Sequence, residues 1–367
     1  MAFHLKDLIN TEYIDRIGVV IQEVVSDFDP AKFKKLVFDK EWENRELKQR
    51  THHIAFVLSK FLDKNYANSS KQIVEIAQKL DGFFEKGEAL GNLFLPDFIE
   101  DFGVADFENS MIAIEQVTKL MSCEFAVRPF YKNYPEKMMK QTFEWAKNED
   151  YRVRRLASEG CRSKLPWAMS VKYLSENPLE VMKVLEILAF DEEEWVRLSV
   201  SNNLNDISKE FPEIVFDFSD KNIGKSLEMN KLLKHALRTL LKKGDKRALA
   251  YFGHKYSENI KLIDFQLNSK SVKIGENLEF SFSVKNSGKK LEKVRLEYVV
   301  YYQKAKGNLT PKVYKIAEIE MKPDEYVKYE RKRSFQLIST RKFYVGLHKI
   351  AVIVNGKKFD EKEFSLV

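Results

Sequence analysis

The sequence predicts two architectures in series: a HEAT-like α-helical solenoid over residues 1–257, then an immunoglobulin-like β-sandwich over residues 258–367. Three observations predict this multidomain α plus β class. First, NYPEKMMKQTFEWAKNEDYRVR aligns with ENPLEVMKVLEILAFDEEEWVR, with 43 positions between Pro135 and Pro178, Met139 and Met182, and Val153-Arg154 and Val196-Arg197. A period of that size holding two helices marks HEAT or armadillo stacking. Second, residues 1–120 read as almost wholly helical. Third, from about Glu258 the chain alternates apolar and polar residues and is punctuated by turn signals.

Taken in order, Asp29-Pro30 opens a helix with an acidic cap and proline at the first helical position. LKQRTHHIAFVLSKFL follows, apolar along Ile54, Val57, Leu58 and Leu62. Its His52 and His53 point about 100° apart on a helix, so joint metal ligation is not expected. Ser69 and Ser70 are expected to cap SKQIVEIAQKL, whose Ile73, Ile76 and Leu80 form one stripe. Gly103 breaks the next phrase, and a helix runs from about Glu108 to Ser122. Glu124 then stands in the apolar company of Phe125, Ala126 and Val127.

The two clear repeat units occupy about 135–177 and 178–220. Val181, Val184, Leu185 and Leu188 form the core face of one helix; Val196, Val200, Leu204 and Ile207 form the seam of the next. Asp206 falls about 120° off that seam, on the side of Ser199 and Asn202, which predicts a polar face. In the preceding unit Arg152, Arg155 and Arg162 share a face with Glu159, turned away from Val153, Leu156 and Ala157. Stacking would join such faces into a polar, partly cationic strip. NKLLKHALRTLLKKGDKRALAYFG closes the helical part. It is basic through Lys231, Lys234, Arg238, Lys242, Lys243, Lys246 and Arg247, and Gly244 ends its first helix.

The β region offers IKLIDFQLNS, ENLEFSFSVKNSG, KVRLEYVVYYQ, YKIAEIEMK, YVKYERKRSFQ and GLHKIAVIVNGKKF. Asn286-Ser287-Gly288, Gly307-Asn308, Pro323-Asp324 and Asn355-Gly356 separate them. Six or seven short strands in about 110 residues is the immunoglobulin-like pattern, here without a cysteine pair.

The 367 residues suffice for two or three domains, and 44% hydrophobic with 32% charged content describes a soluble globular chain. A net charge of +7 permits a polyanionic partner without requiring one. Cys123 and Cys161 form neither a disulfide framework nor a zinc pattern, and MAFHLKDLINTEY has no signal-peptide core. No apolar run reaches the length of a membrane span. A reduced, cytoplasmic protein is expected.

No nucleophile elbow, P-loop, dinucleotide fingerprint or metal-ligand cluster is present in the sequence. What stands out is Glu124, Trp167 and Asp206 on a basic solenoid. Each has a plainer reading: Glu124 at an element's end, Trp167 filling a gap after Pro166, Asp206 paired with Lys209. Asp191 precedes Arg197 by six positions, and Asn148 precedes Arg154 by six. HEAT units use that spacing for an inter-repeat ladder, so Arg154 and Arg197 are assigned to architecture. Arg152, Arg155 and Arg162 are the better candidates for phosphate contact.

SCEFAVRPF (122–130), YRVRRLASEGCRSKLPW (151–167), SNNLNDISKEFP (201–212) and HALRTLLKKGDKRAL (235–249) resemble the AlkC branch of the DNA alkylation repair glycosylases. That HEAT-like family also contains AlkD, and the resemblance covers roughly residues 1–255. Some AlkC proteins carry a C-terminal immunoglobulin-like domain, which accounts for the β region. The resemblance implies a monofunctional DNA glycosylase that removes N3-methylated bases (3-methyladenine and 3-methylcytosine) from duplex DNA, initiating base excision repair. It implies no cofactor, no metal and a monomer. The family's catalytic carboxylates and aromatic fall on Glu124, Asp206 and Trp167. Arg152, Arg155, Arg162, Lys164, Arg238, Lys242, Lys243 and Arg247 are the expected DNA-binding cations. The catalytic assignment requires both carboxylates on the open face of the solenoid. The alternative is a non-enzymatic HEAT scaffold that binds DNA or protein by shape.

Overall fold

The computed structural model describes residues 4–85, 87–337 and 341–367. The chain divides into two compact units, Met1–Ala236 and Leu237–Val367. No helix among the described residues is long and apolar enough to cross a membrane.

The first unit is helical. Its amino-terminal part holds α1 (Thr11–Gln22), α2 (Pro30–Val37), α3 (Leu47–Leu58), α4 (Tyr66–Leu80), α5 (Phe94–Phe102) and α6 (Phe107–Val117). Asp29 caps α2 by accepting the Lys32 amide at 2.9 Å, with Pro30 in the first turn as expected. Ser69 and Ser70 do not cap α4: the helix begins at Tyr66, and both hydroxyls bond back to carbonyls of its first turn. The Ile73, Ile76 and Leu80 stripe is buried. Each such side chain contributes about 1.5–3 kcal/mol by leaving water.

The repeats follow: α7 (Arg128–Asn133), α8 (Pro135–Trp145), α9 (Tyr151–Gly160), α10 (Lys172–Glu176), α11 (Pro178–Leu188), α12 (Glu194–Ile207), α13 (Pro212–Asn222) and α14 (Leu227–Ala236). Helices α8 and α11 each have 11 residues and begin on proline, matching the phase read from the sequence. Helix α12 packs on α9, and α14 packs on α12. Pro212 opens a further helix of 11 residues, so the second unit ends sooner than 220 and α13 starts the next step.

Arg154 locks this stack. Its Nε and Nη2 donate to both Asp191 oxygens, Oδ2 at 2.6 Å and Oδ1 at 3.0 Å, and its Nη1 donates to the carbonyls of Asn148 and Glu149. Arg197 repeats the second contact on the carbonyls of Asp191 and Glu192. Both arginines are architectural, as the six-residue spacing predicts.

The second unit begins with two short helices, α15 (Arg238–Lys243) and α16 (Lys246–Tyr251). Strands β1 (Ile260–Leu267), β2 (Ser271–Val272), β3 (Asn277–Asn286), β4 (Glu292–Gln303) and β5 (Leu309–Met321) follow. The chain closes with β6 (Tyr326–Ser334), β7 (Gly346–Val354), β8 (Lys357–Lys358) and β9 (Lys362–Leu366). One sheet runs β1-β3-β6 and the other β2-β9-β7-β4-β5, with β8 paired to β7. Alternate residues of β3 (Leu278, Phe280, Phe282, Val284) face a core shared with Val294, Leu296, Val300, Ile350, Val352 and Phe364.

The expected domain boundary lies at 257/258, whereas the compact units divide at 236/237, because α15 and α16 fold against the sandwich. Asn355 and Gly356 turn the chain with φ of 44° and 78°, the primed hairpin geometry that Asn-Gly favours. Asn355 Nδ2 donates to the carbonyls of Lys255 and Lys293 at 2.8 and 2.9 Å. A Cβ on Gly244 would lie 3.0 Å from the Gly356 carbonyl oxygen, so the two backbones meet only because both residues are glycine. Gly244 also ends α15 in the left-handed conformation, as expected.

Candidate functional site

Helix α9 organises the site. Asp150 caps it, accepting the Arg152 amide at 2.8 Å, and then takes both ends of the Arg152 guanidinium, with Nη2 to Oδ2 at 2.7 Å. Arg152 Nη1 also donates to the Lys119 carbonyl at 2.8 Å. The hydrogen bond to Asp150 raises the Arg152 pKa against the opposing effect of burial. Arg152 therefore ties α9 to the end of α6.

Three residues on, Arg155 reaches the Glu124 segment. Its Nη1 donates to Glu124 Oε2 at 3.1 Å and to Ser122 Oγ at 3.0 Å, and Ser122 Oγ donates to the same Glu124 oxygen at 2.6 Å. The Glu124 and Arg155 side chains keep 19% and 22% of their surface in water. The Arg155 guanidinium also lies 5.6 Å from the Trp195 ring centre. Glu124 is thus a fixed carboxylate at a half-open position.

A second network starts where α9 ends. Arg162 Nε donates to Asp206 Oδ2 at 2.8 Å, and its Nη1 donates to Glu159 Oε1 at 2.5 Å. Ser199 Oγ donates to Glu159 Oε2 at 2.7 Å, and Lys209 Nζ to Asp206 Oδ1 at 2.8 Å. Burial opposes the charge of Arg162, but Glu159 and Asp206 outweigh it and its pKa is raised. The polar face predicted around Asp206 is corrected: Asp206 is only 2% exposed. The helical phase was right, but the direction faces α9 across a repeat interface rather than solvent. Lys209, one third exposed, is its cover.

Arg162 is likewise corrected as a surface cation, since it is buried and held by two carboxylates. Arg152 and Arg155 are half-buried within ion pairs, so the expected cationic strip on α9 is consumed internally. Lys164 pairs with Glu210. Lys242, Lys243 and Arg247 are exposed and Arg238 is half-buried, all four in the second unit.

Trp167 is no gap filler. It is 73% exposed and holds φ at 64°, a left-handed conformation that costs a bulky residue about 1–2 kcal/mol. The residue that secures its loop was not singled out from the sequence. Arg128 is buried and donates to the carbonyls of Gly160 (2.9 Å), Arg162 (2.7 Å) and Met169 (3.1 Å). An arginine in the apolar run FAVRPF was the available signal. Ser122 and Trp195 were also missed; neither carries a sequence signal beyond its neighbour.

Chemically, the arrangement offers one half-open carboxylate, Glu124, and an exposed tryptophan on a clamped loop, while Asp206 is sealed within its own cationic network. A carboxylate fixed in position stabilises positive charge without reorganising.

Residues 119–240 match the DNA alkylation repair enzyme family, and residues 261–367 match the family described as uncharacterised protein YhaZ, C-terminal Ig-like domain. The chain belongs to the DNA alkylation repair enzyme family, in the branch with this C-terminal domain. It is 38% identical over 362 residues to the uncharacterized protein YhaZ of Bacillus subtilis (strain 168), spanning 99% of both chains. It is also similar to the solved Pseudomonas fluorescens alkylpurine DNA glycosylase AlkC bound to DNA containing an abasic site analog. The TM-score is 0.92, the identity 28%, and the likeness covers 100% of both chains. The family and fold that the quoted phrases imply are borne out.

Proposed function

We propose that this protein is a monofunctional DNA glycosylase, a cytoplasmic monomer that hydrolyses the N-glycosidic bond of 3-methyladenine and 3-methylcytosine in duplex DNA. The observation that carries the reading is whole-chain similarity to a glycosylase–DNA complex, together with Glu124 held half-open by Arg155 and Ser122.

A base methylated at a ring nitrogen is cationic, and its nitrogen leaves with the C1′–N electron pair to become neutral. Positive charge then develops on the deoxyribose. Glu124 faces that charge and accepts the proton of the water that adds to C1′. Asp206, sealed between repeats and held by Arg162 and Lys209, does not meet the requirement of an open carboxylate and is left out of the chemical step. Trp167 supplies a stacking or cation–π face to the lesion nucleotide. Lys242, Lys243, Arg238 and Arg247 are proposed for phosphate contact, with Arg152, Arg155 and Lys164 contributing only what their carboxylate partners leave.

The burial of Asp206 favours a second reading, a family member that binds DNA without excising bases. Duplex oligonucleotides carrying either base decide between them. The glycosylase reading expects free base release with the sugar–phosphate strand left intact until hot alkali is added. Tight binding without release supports the non-enzymatic reading.

A further inference from the structure

Away from this site, α3 and α5 bring together His52, Asp97 and Glu100. One ligand atom from each lies within 4.8 Å of the other two. Asp97 and Glu100 stand three residues apart on α5, hence on one face. Asp97 is 1% exposed, and neither of its carboxylate oxygens accepts a hydrogen bond from the described protein; Glu100 Oε2 is in the same position. The Thr51 hydroxyl beside them donates instead to the Lys48 carbonyl at 3.1 Å. A buried carboxylate without a donor on either oxygen, beside a half-buried one with a single sealed oxygen, is costly to a fold unless a cation joins them.

His52 is prepared for that cation. Its Nδ1 lies 2.8 Å from Asp101 Oδ2 and its Nε2 3.6 Å from Asp97 Oδ1; with Nδ1 as the donor of a neutral ring, the Nε2 lone pair is directed at the Asp97 side. A carboxylate behind the imidazole is the arrangement that orients metal-bound histidines. The Nε2–Oδ1 separation is too long for a hydrogen bond. Two ligands of one small ion would stand about 3.3 Å apart. Asp97, Glu100 and Asp101 bring three negative charges, and Lys48 Nζ, 4.0 Å from Glu100 Oε2, brings one positive charge. A divalent ion would balance the remainder; a second proton on His52 would balance half of it.

We propose that His52 Nε2, Asp97 and Glu100 form a binding site for a first-row divalent cation, with Zn2+ as the best match, that joins α3 to α5. One imidazole with two carboxylates suits zinc, leaving a fourth position for water. Lys48, which faces Glu100, also sits 4.2 Å from the Phe125 ring centre, next to Glu124 in sequence. The ion therefore braces the helices behind the segment that carries Glu124.

The test is zinc titration by calorimetry, followed by metal analysis after dialysis, on the full chain and on the Asp97→Asn/Glu100→Gln double variant. The wild type should retain one Zn2+ per chain and the double variant none, with unchanged circular dichroism. Asp101→Asn should weaken binding by ~10–100-fold. If the double variant does not fold, His52→Gln, at a partly exposed position, takes its place. Co2+ in the wild type should give weak visible bands without a sulfur charge-transfer band. Zinc absent from the wild type, zinc retained equally by the variants, or a thiolate band from Co2+ would each overturn the proposal.

Discussion

Helices α9 and α12 occupy equivalent places 43 residues apart, yet not all of their equivalent positions do the same work. Val153 and Val196 are both fully buried, and Arg154 and Arg197 both grip the carbonyls five and six residues before them. The other faces have parted. Where α9 and the turn after it have Arg155, Glu159 and Arg162, the repeat places Leu198, Asn202 and Asn205 in α12. The first three reach Glu124, Ser199 and Asp206; Leu198 is exposed. The repeat thus separates shared from particular: equivalent positions that keep their residue type stack the helices, and those whose residue type changes make the ion pairs around Glu124 and Asp206.

Four substitutions probe that division, from the largest expected effect downward. Asp191→Ala strips Arg154 of its inter-repeat partner and leaves a largely buried guanidinium unpaired. A loss of about 3–5 kcal/mol is expected in urea unfolding; a change under about 1 kcal/mol would deny the ladder its role. Arg128→Met frees three carbonyls around the Trp167 loop, and about 2–3 kcal/mol should be lost together with base release. Arg155→Leu copies the α12 residue into α9. Because the Glu124 pair is partly exposed, stability should move by about 1 kcal/mol or less while base release falls; unchanged release would remove Arg155 from the site. Trp167→Gly relieves a positive φ and should raise stability by about 1 kcal/mol, again with reduced release.

The same division explains what the sequence revealed. Repeat phase, helix starts at Pro135 and Pro178, and strand alternation are one-dimensional signals, and they appear in the structure nearly where they were read. The ion pairs are not. Asp206 and Arg162 stand 44 residues apart, and helical phase alone cannot distinguish a polar face open to water from one sealed against a neighbouring repeat. Arg155 and Arg162 read as available cations because Glu124 and Asp206 come from other elements, although Glu159, three residues before Arg162, was already on its face. The Gly244–Gly356 contact that places α15 in the second compact unit joins residues too far apart in sequence for any local pattern to report. Trp167 is the converse case: a tryptophan after proline suggested packing, and only its backbone conformation and exposure set it apart.

The most direct measurement compares base release by the wild type, Glu124→Gln and Asp206→Asn on one methylated duplex, with DNA affinity recorded for all three. Catalysis through a fixed, half-open carboxylate predicts a loss of ~10²–10³-fold in single-turnover rate for Glu124→Gln with affinity retained, whereas Asp206→Asn is expected to lower stability by loosening Arg162. Release that persists at wild-type rate in Glu124→Gln would contradict the account, whatever Asp206→Asn does.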